Sequence, residues 1–547
     1  MVSSRVLEPT PNPLPPHSTR TPGVLAILLF LSGCTGGLLA TVGPDYVSPE
    51  TTAARAWQTD QPAAANARSA MPADLRDWWL QFGDPELFRF QTAAQRVSAS
   101  VADARARIEG ARAEMVTAIA NGLPRLDTQV DMLKSRSTFG GPPFDWTRYQ
   151  AGLQSNWEID LFGGIARQRE AAEGQLASRH SAWHDARVAL AVEVAHAYLE
   201  FRYCQALTRI DEQDVASRRE SARLVDVAGV AGLRPPADVA LASASFADGE
   251  ENLVRQQGLC HRSIKGLVAL TGLSEAEVRH RLTGKAELEG RLPSPPPFRL
   301  KGLPAATLLQ RPDVAAAEEQ VAEASARIGV EEARRYPRLS LTGNITPQLQ
   351  TVSAMSAMAP YAAGASAAST YFANTWSFGP TLTMPIFDAG KRLADVEAAR
   401  IQFEAAKTRF QSTVRTAVKE VEVALVRLKT AEERLPRARE ALKGYEKNFT
   451  ATDHLYRAGF GNLLELEQAR RQTLIARRTL ADLEQEQVSA WIALYRAAGG
   501  GWQDPAGQTP TIPMRDDPRH PIQTINTLMS SSSAPSNPPP NGKGLPQ

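Results

Sequence analysis

The chain has 547 residues, 61 Lys and Arg against 59 Asp and Glu for a net charge of +2, and three cysteines. Nothing in that balance suggests a polyanion partner such as nucleic acid, and Cys34, Cys204 and Cys260 are too few and too scattered for a zinc site or a disulfide scaffold. Length alone would accommodate three or four globular domains, but a duplication argues for one elongated body in two halves. A shift of 227 lays Tyr149–Gly272 on Trp376–Gly499 without a gap. Gly152 meets Gly379, Gly163 meets Gly390, Ala231-Gly232 meets Ala458-Gly459 and Gly272 meets Gly499. Repeats are sought first because a missed one misplaces the whole fold.

At the start of the chain, Gly23 to Gly43 carries no charge, and Val24 to Leu31 is a compact apolar core. Leu31-Ser32-Gly33-Cys34 follows, the pattern of a secretory signal that ends in a bacterial lipobox. Residues 1–33 are therefore read as the signal peptide, and Cys34 as an acylated mature N-terminus. The alternative is an uncleaved signal anchor of roughly 20 uncharged residues in the inner membrane. Thr35 after the cysteine, rather than Asp, suits delivery to the outer membrane. Residues 34–83 form an extended linker, rich in Ala, Gln and Pro from Ala53 to Ala73. Asp84-Pro85 is an N-cap followed by an N1 proline, so a helix starts there.

Glu86 to Ala120 has helical spacing and ends at Asn121-Gly122. Pro312 to Arg335 echoes it, and the two end in matching phrases, Leu123-Pro124-Arg125-Leu126 and Tyr336-Pro337-Arg338-Leu339. This echo has a smaller offset than the main repeat, so the second half holds extra residues, which fit the Ala/Ser/Met-rich run Gln350 to Thr370. After each phrase the chain alternates. Leu126, Thr128, Val130 and Met132 oppose Asp127, Gln129 and Asp131, and Ala151, Leu153, Trp157 and Ile159 oppose Gln150, Gln154, Asn156 and Glu158. Leu339, Leu341 and Ile345 oppose Ser340, Thr342 and Asn344, and Trp376, Phe378 and Leu382 oppose Ser377 and Thr381. Period-2 runs of about 10 residues are long enough to cross a membrane with an apolar outer face and a polar inner one. Four strands cannot seal themselves in hydrocarbon, so copies must pool them. Two copies give a barrel whose side chains fill it, and three give twelve strands around a water-filled pore. A homotrimer is expected.

Ile165 to Ala228 runs without proline for about 64 residues, or about 96 Å as helix. Its partner in the second half is Lys391 to Ala458, with Pro436 as a possible kink. Leu176, Trp183, Leu190 and Ala197 recur at seven, so coiled-coil packing is expected. Each long helix ends in a tip, Ala231-Gly232-Leu233-Arg234-Pro235-Pro236-Ala237-Asp238 and Ala458-Gly459-Phe460-Gly461-Asn462-Leu463-Leu464-Glu465, before a returning helix. An acid stands six residues past the glycine in both. It either caps the helix dipole or belongs to an exposed contact or iris. Cys204 and Cys260 lie 28 residues either side of Gly232, so an antiparallel hairpin puts them at one height. They form either a stapling disulfide, favoured in an oxidising compartment, or buried free thiols.

Leu31-Ser32-Gly33-Cys34, Gly43-Pro44-Asp45-Tyr46, Trp78-Trp79, Trp157-Glu158-Ile159-Asp160-Leu161-Phe162-Gly163, Arg311-Pro312-Asp313-Val314 and Pro385-Ile386-Phe387 with Gly390 stand in this order. The set resembles the TolC-type outer-membrane efflux factors, in particular their acylated NodT-like branch that works with RND pumps. The resemblance covers roughly Cys34 to Gly501. It implies a mostly α fold with a small membrane β-barrel, four strands per chain and twelve in the trimer, continued by a periplasmic α-barrel. It also implies a passive exit duct for small toxic compounds, docked onto a periplasmic membrane-fusion adaptor and an inner-membrane RND pump. Residues 84–290 and 291–501 would be the two efflux-factor repeats, and 502–547 a disordered Pro/Ser/Asn-rich tail. Gly232, Arg234, Asp238, Gly459, Asn462 and Glu465 are the candidate tip and gate residues, and Gly163 and Gly390 the barrel-to-helix junctions. This chain departs from the usual tip in Pro235-Pro236, and Gly461 stands where some members carry an acid.

No catalytic pattern is present. His180 and His184 share a helix face but lack the H-E-x-x-H glutamate, so an exposed structural pair is expected, with no metal and no cofactor beyond the lipid on Cys34. A type I protein-secretion duct and a coiled-coil envelope tether are the alternatives. The tether would need no alternating strands.

Overall fold

Asp84 accepts from the Glu86 N–H at 3.0 Å with Pro85 as the first helical residue, so α1 (Pro85–Val97) starts where the capping signal stands. This computed structural model describes residues 41–49, 57–58, 68–70, 79, 84–138, 144–283, 291–293, 298–300, 308, 311–352 and 369–500. The expected signal peptide at 1–33, Cys34, most of the 34–83 linker and the 502–547 tail lie outside them. One helix was expected from Glu86 to Ala120, yet α1 is followed by a separate α2 (Ala99–Ala120). Ser98 between them is extended (ψ 121°), and its hydroxyl accepts from the Val101 N–H. Spacing alone hides this break, because serine fits a helix interior weakly and a helix cap well.

Four strands follow the two matched phrases: β1 (Arg125–Ser137), β2 (Phe144–Ile159), β3 (Arg338–Val352) and β4 (Ser369–Thr383). They form one antiparallel sheet in the order β1-β2-β3-β4. The two hairpins are thus joined through β2 and β3, which come from opposite halves of the chain. At 13 to 16 residues the strands exceed the expected length. The ends of β3 and β4 take up Gln350–Val352 and Ser369–Thr370 from the low-complexity run.

Each half then sends out a helix of 67 residues, α3 (Gly164–Val230) and, in the second half, α7 (Lys391–Arg457). Each is about 100 Å long. Pro436 lies inside α7 and does not end it, with Ala431 and Leu435 buried on the preceding turn. The returning helices are α4 (Pro236–Thr271), extended by the short α5 (Glu275–Thr283), and α8 (Leu463–Ala497). A helix α6 (Pro312–Ala333) packs between α3 and α7, and α8 also reaches α3, so the halves lie side by side.

The largest core sits at the waist, where the long helices meet α1, α5 and the linker. Phe90, Tyr198, Leu199, Leu267, Leu282, Leu425 and Trp491 are fully buried there. Trp79 packs edge-on against Tyr495 (4.6 Å) and Trp491 (6.5 Å), and the short strands Arg68–Ala70 and Phe298–Leu300 pair in parallel. The linker is thereby bound to the start of the second repeat.

Candidate functional site

Register turns the alternating pattern into two chemically distinct faces. Leu153 pairs with Ile345 and Ile345 with Trp376, while Gln154 pairs with Asn344 and Asn344 with Ser377. On the apolar face Val130, Trp376 and Phe378 are each more than 70% exposed, a state no water-facing sheet of this size would favour. Charges near the base of the opposite face are matched locally: Arg125 meets Asp127 at 2.7 Å and Arg338 meets Glu158 at 2.5 Å. The outer edges of β1 and β4 have no strand partner among the described residues.

At the base of the sheet the strands turn into helices through Gly163 (φ 75°) and Gly390 (φ 86°), both left-handed N-caps. The first junction is also crowded. A Cβ on Gly163 would come within 2.5 Å of Thr41, because the N-terminal segment crosses there. Val42 N–H donates to the Phe162 carbonyl, and buried Arg167 donates to the Val42 and Gly43 carbonyls and to Asp45 (2.7 Å). The second junction has open space at Gly390, with Ile386 and Phe387 almost fully exposed beside it.

At the far end of the long helices Gly232 (φ 72°) and Gly459 (φ 84°) make the two turns. Asn462 caps α8 by accepting from the Glu465 N–H at 2.8 Å, whereas Pro235 caps α4 without a side-chain bond. Asp238 and Glu465 both fall in the first turn of a returning helix, and Asp238 lies 3.8 Å from Arg234. The Arg234 guanidinium also lies over the Tyr456 ring at 5.2 Å, linking the two tips. Burial pushes the Tyr456 phenol above its ordinary value, and Arg234 opposes that shift. Val230, Leu233 and Phe460 project from the tips largely exposed.

Sequence reasoning missed Tyr456, whose counterpart in the first half is Gly229, so the repeat gave no signal. It also missed a buried network just above the tips. Arg218 binds Asp214 (2.7 Å) and Ser245 (2.7 Å), Ser245 donates to Glu467 (2.9 Å), and Arg470 pairs with Glu467 and donates to Ser221 (2.6 Å). Three helices, α3, α4 and α8, meet in it.

The family profile described as outer membrane efflux protein matches residues 91–273 and 303–500, one block in each half. The chain belongs to the outer membrane efflux protein family. Its relatives include the solvent efflux pump outer membrane protein SrpC of Pseudomonas putida, 29% identical over 486 residues that cover 87% of this chain and 97% of SrpC. Nodulation protein T of Rhizobium leguminosarum bv. viciae is also 29% identical, over 90% of this chain and 96% of its own length. Among solved structures the outer-membrane channel OprN superposes with a TM-score of 0.73 at 28% identity, covering 85% of this chain and all of OprN. The open MtrE channel of Neisseria gonorrhoeae superposes at 0.68 and 23% identity, over 84% and 98% of the two chains, and shares the fold. Efflux proteins of this family are conduits of the outer membrane, not enzymes. The TolC-like fold, four strands in one sheet continued by two long hairpins, is the one the sequence resembled.

In this efflux protein Cys204 and Cys260 are joined as a disulfide with their Cα atoms 5.4 Å apart, between α3 and α4. The counterparts in the second hairpin are Ala431 and Gln487. Non-reducing peptide mapping is expected to recover Cys204 and Cys260 in one linked species. Reduction is expected to destabilise the first hairpin by about 2–4 kcal/mol, read as earlier proteolysis of α3 and α4 than of α7 and α8. His180 and His184 are half-buried rather than exposed as expected, with His184 against the Trp183 ring at 4.8 Å. Among the described residues no group of three His, Cys, Asp or Glu could hold a metal, and no helix is long and apolar enough to cross a membrane.

Proposed function

We propose that three copies of this chain close a twelve-stranded barrel and form the passive exit duct of a tripartite efflux pump. The observation that carries this reading is the four-stranded sheet with an apolar outer face and two unpaired edges. In hydrocarbon each unpaired backbone group costs several kcal/mol, so β1 and β4 require partners. The sheet alternates in direction, so β4 of one copy runs antiparallel to β1 of the next, and the ring closes on an even number of strands. A coiled-coil tether would leave this sheet unexplained.

The names of relatives support small toxic molecules as cargo. They include toluene and antibiotic efflux pump outer membrane proteins of Pseudomonas putida. A polar inner face with its basal charges paired suits a duct that passes varied compounds without binding them tightly. The exposed apolar residues and paired acids of the tips suit docking onto a periplasmic adaptor that leads to an RND pump. Acylation of Cys34 fits the geometry, because Thr41 at the barrel base is seven residue steps along the chain from it, a reach of about 25 Å. No cofactor is needed beyond that lipid.

Purified from outer membrane in detergent, the protein is expected to run as a heat-labile trimer and to open discrete conductances in planar bilayers. A monomer that stays in solution without detergent would refute the duct. Asp238→Lys or Glu465→Lys is expected to alter leak conductance or adaptor-dependent efflux while the trimer survives on unheated gels. Unchanged conductance and efflux in both would remove the acids from the gate.

A further inference from the structure

The inner face of the sheet is not uniform along its length. From Arg125 up to Gln129 it presents Gln, Asn, Ser, Thr and locally paired charges, including Gln129, Gln154 and Asn344. The last two levels before the hairpin ends differ. There Leu133 pairs with Arg148, Gln350 pairs with Tyr371, and Trp146 stands between Ser135 and Val352. These ends point away from the helices and so lie at the extracellular mouth. Leu133 and Tyr371 are more than 40% exposed, though they share the inner face with the glutamines below.

Arg148 distinguishes this band from a chance apolar patch. The lower arginines on this face are engaged, Arg125 by Asp127 and Arg338 by Glu158. Arg148 instead lies over the Trp146 ring at 5.6 Å, meets no carboxylate within ion-pair range among the described residues, and keeps a buried Nε without an acceptor. Asp131, one level below on the neighbouring strand, likewise keeps a buried Oδ1 without a partner among the described residues, while the guanidinium lies over the tryptophan. Trp146 Nε1 donates to Ser137 Oγ at 3.0 Å, which fixes the ring as a platform. A fixed indole with an unneutralised guanidinium on it and a tyrosine on the same face combines π surface with a donor for an anion.

We infer that Trp146, Arg148 and Tyr371 form an exit belt that transiently binds planar aromatic molecules bearing a carboxylate. The ring stacks on Trp146 or Tyr371 and the carboxylate meets Arg148. In a trimer the belt occurs three times around the mouth, so the last contact of departing cargo is selective while the lumen below is not. This rests on the duct reading and adds a cargo class to it.

The test uses full-length trimer in planar bilayers. The long hydrophilic helices cannot cross lipid, so protein added to one chamber presents its hairpin ends to the other. With 2-naphthoate added on that far side, open-channel current is expected to be half-blocked at a concentration at least fivefold lower than with cyclohexanecarboxylate or naphthylmethylammonium. Arg148→Gln and Trp146→Leu are each expected to raise the naphthoate value fivefold or more, and the conservative Trp146→Phe to keep it within twofold of the parent. Equal block by all three probes, or block unchanged in R148Q and W146L, overturns the belt and leaves the duct standing. Absence of any conductance overturns both.

Discussion

Trp376→Arg or Ile345→Arg should abolish the proposed heat-labile trimer, whereas Ser377→Arg or Asn344→Arg, one residue along the same strands, should leave it intact. Ile345 and Trp376 pair near the middle of the apolar face, and Asn344 and Ser377 pair on the polar one. Arginine facing lipid at the midplane of a barrel costs about 2–4 kcal/mol, and in the proposed trimer that cost recurs in each protomer. On the inner face the same side chain stays in water. Unheated gels and bilayer conductance read the difference. If the two pairs behave alike, the faces have been assigned the wrong way round or the sheet does not enter lipid.

A comparable loss is expected at the waist, far from the membrane. Arg202 and Asp84 are both almost wholly buried and lie 3.3 Å apart. Arg202 also donates to the Tyr198 hydroxyl (2.7 Å) and the Leu282 carbonyl, while Asp84 caps α1. Arg202→Met removes one charge and strands the other, a change that costs about 3–5 kcal/mol in buried pairs. The expected readout is a lower thermal midpoint with early cleavage between α1 and α5. Adding Asp84→Asn to Arg202→Met should recover part of the loss, because asparagine caps the helix without a charge to bury. A double variant no more stable than Arg202→Met would show that the arginine acts by packing alone.

Some of this architecture stands in plain view along the chain, because solvent acts on each residue locally. The outer face of the sheet is written as Leu126, Val130 and Met132 alternating with Asp127, Gln129 and Asp131, since lipid and water meet opposite sides of one strand. The tips are written as Gly232 and Gly459, since only glycine takes a left-handed turn there at little cost. The tip acids Asp238 and Glu465 follow from the same register. By contrast Tyr456, Arg470 and Ser245 carry no local mark. Their roles come from helices that meet only after folding, and none of the three has a like residue in the other repeat. Ser98 was misread for a related reason, as its neighbours fit one helix equally well.

By itself the sequence determined a duplicated chain of strands too few to close and helices too long for a compact domain. Periodicity and the intolerance of lipid for open edges are enough for that. Only the tertiary structure decided that β2 meets β3 across the two halves, that Cys204 reaches Cys260, and that Arg148 turns onto Trp146 rather than toward Asp131. Such pairings depend on distances between segments far apart in the chain. No local pattern of hydrophobic and polar residues encodes them.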